Sequence, residues 1–245
     1  MGQMNYSSIG KLLAILVLAG GFTACKSSEM TSGSAEENNT EAVTENTTTE
    51  ADEESMEELY WQRQQEALMN FSEDDVHFMT GMIAHHAQAL IMSDLAPKND
   101  ASPAIQRLAA RIINAQKDEI KSMQRWLRDR DQPVPEVHIE GLNLMIHGLG
   151  DHHMKMDHTN MAGMLSPTQL EKLSEAKGQE FDRLFLKYMI AHHQGAVTMV
   201  TKLFNSDGAV QDEAAFKLAS DIQVDQRTEI DRMQLMLDEI TASAD

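Results

Sequence analysis

The pentapeptide Met-Ile-Ala-His-His occurs twice, at Met82–His86 and at Met189–His193, inside a longer duplication. Residues 75–92 align with residues 182–199 at a constant offset of 107, matching Asp, Phe, Met-Ile-Ala-His-His, Ala and Met. Residues 115–124 align with 225–234 at an offset of 110, matching Gln, Glu-Ile and Met-Gln. The three-residue difference belongs in a connecting loop. A unit of this size cannot bury its apolar face alone, so two copies must close on each other.

The units read as helices. Apolar residues recur at helical spacing and the five prolines all fall outside the long periodic segments. Ser72 with Asp75 resembles a capping box opening a helix that ends near Pro97. Ser102-Pro103 opens a second helix to about Arg130, in the favoured order of cap then proline. Ser166-Pro167 starts a third region, broken near Gly178 and continuing to about Phe204, and a fourth runs from about Val210 to Ile240. The expected fold is all-α: an antiparallel four-helix bundle of two repeated helical hairpins with pseudo-twofold symmetry. Repeat one covers about 72–130, a connector about 131–165, and repeat two about 166–241, within a bundle domain of 56–245.

Lys11, the apolar run that follows it, and Ala24-Cys25 have the layout of a secretory signal. The stretch resembles a bacterial lipoprotein lipobox, with Phe22 where leucine is more usual. That resemblance implies a signal peptide at 1–24, cleavage before Cys25 and lipid attachment there. Lys26 in place of an aspartate leans towards the outer membrane. Residues 25–55 carry little that is apolar, and residues 26–58 hold eleven acids against one lysine; this predicts a disordered acidic tether. With its single cysteine lipidated, the mature chain has no thiol to offer a metal or a disulfide. A net charge of -19 argues against nucleic acid as a partner.

On the first repeated helix Asp75, Met79, Met82, His86 and Ala89 share one stripe, and His85 points about 100° away. One histidine of each pair is therefore expected inward and its neighbour near the edge of the interface. On the second helix Ile112, Gln116, Glu119, Met123 and Leu127 share a face. A glutamate and a glutamine on an apolar stripe need partners, and His85 or His86 is available. His192, His193, Gln226, Glu229 and Met233 repeat the relation. Packing alone could also give Met-x-x-His spacing. A ferritin-type di-iron centre needs several inward glutamates and Glu-x-x-His motifs, which no helix supplies.

The Phe…Met-Ile-Ala-His-His…Met helix followed by Gln-x-x-Glu-Ile-x-x-Met resembles the bacterial family of unknown function numbered 305, over about 70–240 in both repeats. The resemblance implies a ferritin-like helical bundle in the cell envelope. It also implies a link to copper tolerance, because that family includes CopM-type copper-binding proteins. Its functional carry-over falls on Met82, His85, His86, Met189, His192 and His193, supported by Glu119, Met123, Glu229 and Met233.

Between the hairpins, nine of the twenty residues 145–164 are Met or His: Met145, His147, His152, His153, Met154, Met156, His158, Met161 and Met164. Interrupting glycines prevent a single helical stripe from using them all. Thioether sulfur prefers Cu(I) or Ag(I), and imidazole suits copper and zinc. Three readings follow. The first is a non-enzymatic, lipid-anchored envelope protein that sequesters or hands on Cu(I) or Ag(I), with zinc possible, to a transport partner the sequence does not name. The second is a structural or protein-interaction module with stabilising His–Glu pairs. The third, a metal-dependent oxidase, has the least support, because no nucleophile–base set or complete di-metal motif is present.

Overall fold

The computed structural model describes residues 50–149 and 160–242, with side chains from Ser55 onward. Residues 1–24 read as a signal peptide, Cys25, most of the expected tether, and His152, His153, Met154, Met156 and His158 lie outside the described residues.

The repeats form the hairpins α2 (Glu73–Asp94) with α3 (Pro103–Arg128), and α5 (Gly178–Phe204) with α6 (Glu213–Ala242). A short α4 (Pro167–Glu175) precedes α5, with the break between helices falling next to Gly178. Ser72 and Asp75 make the expected capping box on α2, and Ser102 caps α3 ahead of Pro103. The bundle is the ferritin-like all-helical fold, with two departures from the sequence reading. Helix α1 (Glu50–Leu68) begins inside the stretch expected to be tether, and all its described side chains are exposed. Its Glu, Gln, Leu and Ala residues are good helix formers without tertiary help.

The connector also opens with a β-hairpin, β1 (Glu136–Glu140) antiparallel to β2 (Asn143–His147), with Val137 opposite Ile146 and His138 opposite Met145. Alternating apolar residues and Gly141, at φ 59° in the turn, suit a tight hairpin. The helical reading did not weigh that alternation.

The core has two apolar halves. One joins the C-terminal half of α2 to the N-terminal half of α3, with Phe181 and Phe185 of α5 and Met233 of α6. The other joins the N-terminal half of α2 to the C-terminal half of α3, with Val200 of α5 and Ile222 of α6. These pairings make α2 antiparallel to both α3 and α5.

The hairpins strap each other reciprocally. The Val210 N–H, in the α5–α6 loop, donates to the buried Asp75 of α2 at 2.8 Å. The Ser102 N–H, in the α2–α3 loop, donates to the buried Asp182 of α5 at 3.1 Å. Each loop turns through a left-handed residue, Asp100 (φ 53°) and Val210 (φ 52°), which match at the repeat offset of 110. At the start of α6, Asp212 accepts from the Trp126 indole, from Arg130 Nη2 at 2.7 Å and from the Ala215 N–H at 3.1 Å. The Arg130 guanidinium also lies 4.4 Å over the Trp126 ring.

Asp212 thus caps one helix and neutralises a buried cation of the other hairpin. Asp212→Ala is expected to cost about 3–5 kcal/mol by leaving Arg130 buried and unpaired. Lys217→Ala, which breaks an exposed pair with Asp221, should cost under about 1 kcal/mol. Urea unfolding of the two variants checks the difference.

Candidate functional site

Between the two apolar halves lies a polar layer. α2 and α5 bring His85, His86, His192 and His193 to it, all fully buried. α3 and α6 bring Gln116, Glu119, Gln226 and Glu229. His86 Nε2–H donates to Glu119 at 2.5 Å, and His193 Nε2–H donates to Glu229 at 2.8 Å. The expected pairing of an inward histidine with each glutamate is therefore present in both repeats.

The expectation that the second histidine lies near the edge needs correcting. The His85 and His192 rings meet at 3.9 Å between centroids, tilted by 36°. The end of the connector roofs them, and His85 Nε2–H donates to the Ala162 carbonyl at 3.0 Å. Two residues one turn from the histidines seat that segment. Gln88 grips Leu165 through both its amide atoms, at 2.7 and 3.0 Å. At the equivalent place in repeat two stands Gly195, where an added Cβ would lie 1.9 Å from the Ala162 oxygen. Sequence reasoning passed over both; the signal was the local failure of the repeat, Ala87-Gln88 against Gln194-Gly195.

All four Nδ1 atoms are buried without a hydrogen-bond partner, and so is Nε2 of His192. The His85 carbonyl approaches the His192 ring without hydrogen-bond geometry. Burial, then the neighbouring His86 and His193, lowers the His85 pKa to about 3 against the pull of the Ala162 carbonyl. Burial and the other three histidines push His192 well below its usual value. His85 is thus neutral near pH 7, with its proton on Nε2, so its Nδ1 carries a lone pair and no partner.

Met79, Met82, Met123, Met189 and Met233 are fully buried in the flanking apolar halves. Met161 and Met164 sit half-buried either side of Ala162, whereas Met145, half-buried, and His147, exposed, lie on β2. Among the described residues no three His, Cys, Asp or Glu side chains converge as a ready metal cage. A site here would combine paired imidazoles with thioether sulfur, donors that suit soft monovalent ions.

The family described as Domain of unknown function (DUF305) matches residues 75–237. The chain belongs to this family. A DUF305 fragment from Deinococcus radiodurans is 28% identical with a TM-score of 0.55, covering 69% of this chain and 98% of its own. A DUF305 protein from Streptomyces coelicolor, 24% identical over 69% of this chain and 94% of its own, also has a TM-score of 0.55. CopM in its Cu(II)-bound form is 32% identical, covering 67% of this chain and 96% of its own, with a TM-score of 0.48. A mimivirus protein (Acanthamoeba polyphaga mimivirus) is 39% identical over 57 residues, which is 23% of this chain and 38% of that protein.

Two outcomes follow for this DUF305 bundle. Gly195→Ala is expected to unseat the Ala162–Gly163 turn and cost about 1–3 kcal/mol by overpacking, whereas Gln194→Ala, on the exposed face, should be nearly neutral. Chemical denaturation measures both.

Acid should also destabilise the fold. Unfolded, His85 and His192 take a proton near pH 6.5, but folded they resist it. Stability is therefore full above that pH and falls below it, by about 1.4 kcal/mol per pH unit for each histidine. For His85 the window closes near pH 3. Asp225, raised by burial and by Glu119, Glu229 and Asp221, works the other way, since its folded form takes its proton first as pH falls. His85→Gln with His192→Gln should flatten the slope in denaturation series between pH 7 and 4.

Proposed function

We propose that this protein binds Cu(I) or Ag(I) as cargo in the cell envelope, holding the ion by histidine and methionine in metal tolerance. One observation carries the reading: four buried imidazole Nδ1 atoms without partners, repeated by the duplication. Orphaned polar atoms in a dry core cost about 1–3 kcal/mol each. The bundle keeps them where leucines would pack at no such cost.

The surroundings support a ligand role. A ligating histidine usually donates its other ring N–H to a carboxylate or a carbonyl, which fixes the ring and its tautomer. Glu119, Glu229 and the Ala162 carbonyl accept from His86, His193 and His85 in that manner. His85 with His192 would supply the nitrogen donors and Met82 or Met189 a sulfur. Met145, His147, His152, His153, Met154, Met156, His158, Met161 and Met164 would capture the ion first, before it passes inward beneath the Ala162 turn. Cys25, lipidated after removal of residues 1–24, would tether the domain to the envelope membrane, with the outer membrane favoured by Lys26.

The test is an anaerobic Cu(I) titration of the chain from Lys26 onward against a chromophoric chelator. Two variants accompany it: His85→Leu with His192→Leu, and Met154, Met156, Met161 and Met164 all changed to leucine. The histidine variant should bind at least about tenfold more weakly, and the methionine variant should load more slowly. No competition by the parent would overturn the reading and favour a structural module held by its His–Glu pairs.

A further inference from the structure

The soft-metal reading leaves one face of the polar layer unused. Where α3 and α6 meet, a groove of about 260 Å³ is lined by Gln116, Glu119, Asp225, Gln226 and Glu229, with Arg111 as the cationic side chain of the lining. Its donors are side-chain oxygens, and the duplication supplies four of them in pairs, Gln116 with Gln226 and Glu119 with Glu229.

Two independent features point to a ligand. Gln116 is 1% exposed, yet neither atom of its amide has a hydrogen-bond partner, and the Gln226 amide oxygen, on a residue 2% exposed, has none either. Two amides at equivalent positions of the repeat are left unsatisfied beside the same groove. Leucine would avoid that cost at both places. The second feature is charge. Asp225 lies within electrostatic reach of Glu119, Glu229 and Asp221. Each glutamate commits Oε2 to a histidine, which leaves Oε1 as its remaining donor.

We infer that this groove binds a hard divalent cation of the Ca²⁺, Mg²⁺ or Mn²⁺ class. Its ligands are the amide oxygens of Gln116 and Gln226 with the Asp225 carboxylate, and either Glu119 or Glu229 gives a second carboxylate. Ca²⁺ takes about six to eight oxygen ligands and Mg²⁺ six, with water completing a partial protein shell. Histidine and carboxylate groups alone form no cage among the described residues, and the buried amides supply what they lack. Oxygen donors and soft donors select different metals, so this site is separate from the histidine–methionine core and stands whether or not copper binds there. A cation here would staple the second helix of one hairpin to the second helix of the other.

The experiment titrates Mn²⁺ into the chain from Lys26 onward and follows the free aqua ion by electron paramagnetic resonance. The expected result is saturable binding of a single ion, displaced by Ca²⁺ or Mg²⁺. Asp225→Asn, at an exposed position, should weaken it at least about tenfold. Gln116→Leu with Gln226→Leu should abolish it while raising the melting temperature of the metal-free protein, since two unsatisfied amides are removed. His85→Leu with His192→Leu, which removes the proposed copper ligands, should leave Mn²⁺ binding intact. Uptake that does not saturate, or saturable binding unchanged by Asp225→Asn and by the paired glutamine variant, overturns the site and reduces it to diffuse attraction by an acidic surface.

Discussion

Four imidazoles buried across the middle of a helical bundle set the terms for everything around them. Burial holds His85 and His192 neutral through the cost of desolvating their charged forms, and each ring nitrogen left unpaired forfeits a bond it had in water. The bundle answers on three sides. Glu119 and Glu229 accept from two rings, the Ala162 carbonyl accepts from a third, and apolar side chains seal the layer above and below. What it does not answer is Nδ1. That atom stays bare on every one of the four rings, and the proposed soft-metal site rests on it.

Duplication explains why the layer is nearly symmetric, and the connector explains why it is not entirely so. Both glutamate pairs and both interlocking aspartates obey the repeat. The segment ending at Leu165 can cover the pseudo-twofold axis only once, so the two positions beneath it had to diverge. Gln88 became a clamp and Gly195 became a clearance. The outcome is one histidine with a carbonyl partner, His85, stacked on one with none, His192. Copies of one sequence thereby acquire different chemistry from a single crossing strand.

Much of this was legible beforehand. The capping box at Ser72, the Ser-Pro openings of α3 and α4 and the interruption near Gly178 are local signals with local causes, and each marks its helix boundary. A histidine partner for Glu119, His85 or His86, followed from helical spacing and from the cost of leaving a carboxylate alone on an apolar face, and the fold selects His86. Helix α1 and the β1–β2 hairpin were missed because composition was allowed to outweigh local propensity and alternation. The burial of His85 could not be read from its helix, because what covers it comes from residues 77 positions away.

By itself the sequence determined the duplication, the helices of the two repeats with the Ser caps of α2, α3 and α4, and hence a bundle with histidine and glutamate in its interior. These depend on periodicity and on contacts within a few residues, which the order of side chains specifies directly. Only the tertiary structure decided which histidines touch, which nitrogens go unpaired, and that two glutamines and three carboxylates face one groove. Those facts depend on how four helices and a connector are placed in space. A one-turn shift between hairpins would leave every local signal intact and dissolve the layer.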